Sequence, residues 1–91
     1  MKDSEHQFAL NLEALSAPQC RRIVQALIEK PLSHQELART CKLSLASIGI
    51  HLQVLIRAEL VAVTPVDGIE MLKFERSILQ PTIDWFADLI H

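Results

Sequence analysis

Residues 33–61 read SHQELARTCKLSLASIGIHLQVLIRAELV. Ser33-His34-Gln35-Glu36 has the form of a capping box: the serine accepts from the backbone three residues on, and the glutamate reaches back to the serine N–H. The spacing predicts a short helix over 34–41 that buries Leu37 and Cys41, with the small Ala38 where two helices approach closely. Lys42 and Leu43 make a turn, Leu43 tucks inward, and Ser44 is the next N-cap. A helix from 45 to about 58 follows, with a core stripe at Ile48, Leu52, Leu55 and Ile56 and with Leu45 at its edge. Glu59 stands where a glycine commonly closes a helix.

Working outward, Leu60-Val61-Ala62-Val63-Thr64 is a strand by composition, and Asp67-Gly68 is a tight-turn dipeptide. Ile69 to Glu75 returns as a second strand, with Met71, Lys73 and Glu75 alternating against Leu72 and Phe74. Upstream, Pro18 opens a helix at the position where its missing N–H is harmless. That helix carries the stripe Cys20, Ile23, Val24, Leu27 and Ile28, with Arg21, Arg22, Gln25 and Glu29 off it. Lys30-Pro31 ends it, and Leu32 is placed to add one extended pair beside the hairpin. At the N-terminus, residues 4–16 form a helix with Phe8, Leu12 and Leu15 on one stripe and Leu10 away from it. At the C-terminus a helix covers roughly 78–90. Its apolar residues Ile78, Leu79, Ile83, Trp85, Phe86, Leu89 and Ile90 spread over nearly half the circumference at about 100° per residue. Pro81 must lie in its first turn. The order is α-α-α-α-β-β-α: mainly α with a small β-hairpin, a winged helix-turn-helix flanked by terminal helices.

A chain of 91 residues is one domain. The three parts of 1–91 are an N-terminal helix (1–17), a winged-helix core (18–76) and a C-terminal helix (77–91). With 49% hydrophobic residues, so small a chain has more apolar surface than it can bury alone, so a homodimer is expected. The net charge of −2, from 9 basic and 11 acidic residues, is not the basic balance common among nucleic-acid binders. No apolar run reaches about 18 residues. The polar start MKDSEHQ is not a signal peptide, so a cytoplasmic protein with no membrane partner is expected.

Three stretches resemble the ArsR/SmtB family of winged-helix regulators. They are Ala14-Leu15-Ser16-Ala17-Pro18-Gln19-Cys20-Arg21-Arg22-Ile23-Val24, then Pro31-Leu32-Ser33 with Glu36-Leu37-Ala38, then Leu43-Ser44 with Ile48, His51-Leu52, Val54-Leu55, Ala58 and Leu60-Val61. The resemblance covers most of the chain, and the His-Leu pair is its more specific part. It implies a homodimer joined through the first and last helices, at Phe8, Leu12, Leu15, Ile83, Trp85, Phe86, Leu89 and Ile90. It implies a DNA-binding repressor on an inverted repeat of double-stranded operator DNA, with helix 45–58 in the major groove and the wing, including Asp67 and Gly68, along the backbone. The residues that would meet DNA are Arg39, Lys42, Ser44, Ala46, Ser47, Ile50, His51, Gln53 and Arg57.

The surface opposite the core stripe departs from the family pattern. Its arc is Ala46, Gly49, Ile50, Gln53 and Arg57, of which only Gln53 and Arg57 have side chains that hydrogen-bond base edges. Ser47 and His51 lie toward one flank, as base contacts or as a surface hydroxyl and a partly packed ring. The wing, TPVDGIE, holds Asp67 and Glu70 and no base, so phosphates would repel it. An interaction module whose Ile50, Val54 and acidic wing meet a protein partner is therefore the alternative. The stretch matching the family's thiolate site has no cysteine, and Asp84, Asp88 and His91 are a poor acid-histidine set, so no metal is expected. Cys20 and Cys41 fall on core stripes. No nucleophile, base or phosphate loop suggests an enzyme or a cofactor.

Overall fold

The computed structural model describes residues 4–90. Its elements are helices α1 (Ser4–Leu15), α2 (Pro18–Glu29), α3 (His34–Cys41), α4 (Leu45–Arg57) and α5 (Gln80–Leu89), and strands β1 (Leu32–Ser33), β2 (Val61–Val66) and β3 (Ile69–Phe74). The three strands form an antiparallel sheet in the order β1-β3-β2. Leu32 pairs with Leu72, giving the short extended pair expected beside the hairpin. In the hairpin, Val66 faces Ile69 across a two-residue turn. Asp67 and Gly68 both have positive φ, 51° and 79°, as the right-handed twist of the strands demands of such a turn.

The core gathers the inward stripes of α2, α3 and α4 under the sheet. Cys20, Ile23, Leu37, Cys41, Ile48, Leu52, Leu55, Leu60 and Leu72 are buried together. Two residues assigned to these stripes turn outward. Ile28 is 51% exposed and Ile56 is 40% exposed. Each follows a buried leucine, Leu27 or Leu55, and a helix advances about 100° per residue, which carries the next side chain past the edge of the core.

The capping box at Ser33 forms as expected. Glu36 N–H donates to Ser33 Oγ at 3.2 Å, and Ser33 N–H donates to Glu36 Oε1 at 2.9 Å. Both helices of the central pair then end alike. The Leu43 N–H returns to the Ala38 carbonyl at 3.0 Å, and the Leu60 N–H to the Leu55 carbonyl at 2.9 Å. These are Schellman closures, and each puts its C′ residue in the left-handed region: Lys42 at φ 57° and Glu59 at φ 63°. Neither is glycine, so the closure holds against the cost of a Cβ there.

The terminal helices pack differently from their sequence stripe. The inward face of α1 is Gln7, Asn11 and Ala14, while Leu12 is 44% exposed and Phe8 and Leu15 are half-buried. Leu15 packs against the core of its own chain. The buried amides hydrogen-bond across the fold, with Gln7 Oε1 alone of their side-chain atoms left without a partner. Gln7 Nε2 donates to Asn11 Oδ1 at 3.0 Å and to the Ala58 carbonyl at 2.9 Å. Asn11 Nδ2 donates to Thr82 Oγ1 at 2.9 Å. This chain of hydrogen bonds ties α1 to α5 and to the C-cap of α4. At the start of α5 a 3-10 turn, Arg76–Leu79, precedes Pro81, because the proline can neither donate a helical hydrogen bond nor follow a regular turn.

Candidate nucleic-acid interface

Helix α4 is held on one side only. Ile48, Leu52 and Leu55 anchor it to the core, and Ser44 Oγ caps it by accepting from Ser47 N–H at 3.0 Å. Ala46, Ile50, Gln53 and Arg57 follow at spacings of four, three and four, which lines them up on the opposite face. All four are exposed, and Ile50 is 65% so. Leu45 is exposed at the N-terminal edge. Gly49 lies within this face, and a Cβ built there meets no atom within 4 Å. The glycine is therefore not required by packing inside the chain.

Three cations border this face. Lys42 is exposed at the turn, Arg39 is exposed on α3, and Arg57 is exposed at the far end of α4. Arg21 and Arg22 serve the scaffold instead. Arg21 donates to the Leu15 and Ser16 carbonyls at 2.8 and 3.0 Å, and Arg22 to the Cys41 carbonyl at 3.1 Å. Both close helix C-termini, where carbonyls lack partners and a positive charge is favoured. The wing carries Asp67 and Glu70, both exposed at its tip.

The flank residues resolve. Half-buried His51 sits with Nδ1 2.7 Å from the Ser47 carbonyl of its own helix. A carbonyl only accepts, so Nδ1 carries the proton of the neutral ring and Nε2 is left as the acceptor. Ser47 is half-buried against the same ring, its Oγ 3.5 Å from Nδ1. Both residues stand beside the exposed arc rather than in it. Val54, read as part of an apolar docking patch, is half-buried against the core and drops out of that patch.

The terminal helices build a second surface. Phe8 on α1 stacks against Trp85 and Phe86 on α5, with ring centroids 4.6 and 5.8 Å away, and Trp85 meets Phe86 edge-on at 5.3 Å. Around these rings Leu12, Ile83, Leu89 and Ile90 are exposed. Sequence reasoning named these residues but missed Gln7, Asn11 and Thr82 beneath them. An amide pair four apart beside Ala14 was the only local signal.

Cys20 and Cys41 are free, buried thiols. Burial pushes both thiols up from their ordinary value, for Cys41 against a smaller opposing pull from Arg22, which disfavours reactive thiolates. Among the described residues no group of three or more His, Cys, Asp or Glu is placed to hold a metal ion. His91, one of the weighed ligands, lies outside the described residues. No helix among the described residues is long and apolar enough to cross a membrane.

The model of a helix-turn-helix domain family matches residues 15–64, the segment from the end of α1 through α4 into β2. The chain belongs to that helix-turn-helix family. The architecture is that of the ArsR-type winged helix-turn-helix regulators. An ArsR-like transcriptional regulator from Rhodococcus sp. RHA1 superposes with a TM-score of 0.85 at 23% identity, covering 91% of this chain and 78% of that one. A structure described as a possible transcriptional regulator for arsenical resistance gives 0.73 at 27% identity, covering 86% and 81%. The homodimeric winged helix-turn-helix DNA-binding domain of a possible ArsR-family regulator from Mycobacterium bovis gives 0.75 at 15% identity, covering 99% and 86%. No curated protein matches the sequence. Within the family segment, α3 and α4 are the helix-turn-helix pair, and Lys42-Leu43-Ser44 is its turn.

Proposed function

We propose that this chain is a transcriptional repressor that binds an inverted repeat of double-stranded DNA as a homodimer in the cytoplasm, without a metal. The observation that carries the proposal is the exposed arc of α4, offered on a helix whose other side is locked into the core and whose N-terminal end is bordered by Arg39 and Lys42. Such a helix fits the major groove, and two of them on a two-fold axis would meet half-sites about one helical turn apart. Phe8, Leu12, Ile83, Trp85, Phe86, Leu89 and Ile90 are the proposed dimer contact. An aromatic-rich apolar surface of this kind is what a homodimer buries.

The test is anisotropy of the purified protein on DNA upstream of its own gene at several salt concentrations. Arg39, Lys42 and Arg57 in two protomers would neutralise about six phosphates, so log K should fall against log salt with a slope of roughly −5. Lys42→Ala should flatten that slope by roughly 2. Binding that ignores salt, or no binding at all, would sink the proposal.

A second reading has its own observation. Leu45 and Ile50 are exposed, and Leu45 borders an open depression of about 370 Å³ lined also by Gln35, Ala38, Arg39 and Leu43. Together with the acidic wing of the same chain, this surface also suits a protein partner. Ile50→Arg separates the two readings. Loss of a partner with DNA affinity unchanged or raised favours the protein, whereas loss of sequence-specific DNA binding in Gln53→Ala favours DNA.

A further inference from the structure

The arc of α4 has an unusual makeup for a surface that reads bases. Between Lys42 and Arg57 it offers Ala46, Gly49, Ile50 and Gln53, and no side chain with a positive charge. Guanine is most often read by a bidentate arginine or lysine at O6 and N7. Nothing in the middle of the arc can make that contact. An alkyl side chain has one partner in the major groove, the C5 methyl of thymine, and a glutamine pairs with N6 and N7 of adenine.

Position and exposure agree with this chemistry. Ile50 is 65% exposed, more than Leu45 or Ile56 on the same helix, and Ala46 lies one turn before it on the same face. Gln53 is exposed one turn after it. Gly49, beside Ile50, has open space where a Cβ would stand. The helix therefore has no protruding side chain at that point, which lets the short apolar groups reach the groove floor.

Resting on the DNA-binding reading above, we propose that α4 selects half-sites rich in A·T pairs by thymine-methyl recognition. Ile50 and Ala46 contact the C5 methyls of thymines, and Gln53 holds the adjoining adenine. Ile50 is the principal specificity-determining residue, and guanine is selected only at the ends of the arc, near Lys42 and Arg57.

The test begins with a random duplex pool selected on the purified protein. In the best site, each thymine in turn is replaced by deoxyuridine, which removes the methyl and leaves the base pair intact. At the thymine under Ile50 the affinity should fall about fourfold in each half-site, the loss expected for one buried methyl. In Ile50→Ala that sensitivity should disappear, and in Ile50→Val it should persist. Ile50 is exposed, so neither variant should alter folding. Selection of sites with central G·C pairs overturns the inference, as does tight binding indifferent to deoxyuridine, and in both cases DNA binding itself stands. An equal uracil effect in Ile50→Ala also overturns it. Recovery of no preferred sequence overturns the inference, and a lack of any salt-sensitive binding removes the DNA-binding reading with it.

Discussion

Two exposed surfaces on this chain are both apolar and are unlike in composition and construction. On α1 and α5 the rings of Phe8, Trp85 and Phe86 pack on one another, and leucine and isoleucine surround them. On α4 a single file of short side chains, Ala46, Gly49 and Ile50, runs between cations. The first surface is broad and rests on large side chains that would gain most by leaving water. The second is narrow and almost smooth, which suits a groove with polar walls better than a second apolar patch. An exposed isoleucine therefore carries no fixed meaning. What flanks it and how far it projects decide whether it looks like half of an interface or a probe of one.

The sharpest way to break this contrast is Trp85→Asp. If the aromatic surface is the dimer contact, the aspartate appears twice across the two-fold axis. Loss of a buried aromatic anchor costs about 3 kcal/mol or more, so dissociation should rise at least a hundredfold. Sedimentation equilibrium should then find a 10.3 kDa monomer, and binding to the full inverted repeat should weaken with it. An unchanged dimer would move the interface elsewhere and leave the two surfaces without distinct roles.

A smaller effect tests whether α1 has two independent faces. Asn11 is fully buried and bridges Gln7 to Thr82. Asn11→Ala strips a hydrogen bond from a buried hydroxyl and leaves a small void, so denaturant titration should show a loss of about 2–3 kcal/mol. The dimer constant should move far less, because Asn11 faces the chain's own core and Phe8 faces away. Equal changes in both quantities would mean that the polar bridge and the aromatic surface act as one unit.

This bridge marks where the sequence stops being legible. Ser33 and Glu36 declare a helix start three residues apart, and Asp67-Gly68 declares a turn by itself, so both were readable. The stripes of α2, α3 and α4 were readable because apolar residues recur at helical spacing. Gln7 and Asn11 are different: their partners, Ala58 and Thr82, lie 51 and 71 residues away. Polar residues with no visible partner look like a wet face, so the sequence points to the stripe of Phe8, Leu12 and Leu15 as the packing face of α1. The edges of stripes were blurred for a simpler reason, since Ile28 and Ile56 differ from their buried neighbours by one step of rotation. The arc of α4 was legible in composition, while the hydrogen bond that turns His51 back onto Ser47 needed coordinates.

Gly49→Ala sharpens the contrast at a still smaller energy. An alanine in a helix interior is favoured over glycine by about 1 kcal/mol, and the added Cβ meets nothing within 4 Å. The melting temperature should therefore rise. Affinity for the selected DNA should fall, because the methyl would stand where the groove must come close, while the dimer constant should not change. A variant that is more stable and equally tight on DNA would show that the smoothness of the arc has no functional use.

The gentlest test lies behind the arc, in the cap of α3. Glu36 accepts from the Ser33 N–H, and those hydrogen bonds, backbone first, hold its carboxyl below the ordinary glutamate value, with burial opposing and Lys30 and Arg39 adding a smaller downward pull. A carboxyl whose folded value is depressed stabilises the fold fully above its unfolded value and loses that contribution as pH falls through the folded one. Glu36→Gln keeps an acceptor of the same reach and removes the titration. The wild type should melt above the variant at neutral pH, and the gap should close on acidification below the ordinary glutamate range. Glu36 is only half-buried and still meets water, so solvent keeps the difference small. The dimer constant offers the contrast, because no part of this cap belongs to α1 or α5. If acidification through this range narrows the gap in DNA affinity between wild type and Glu36→Gln while dimerisation stays constant, then α3 supports the arc alone. A gap independent of pH would assign the depressed carboxyl no part in holding α3 in place.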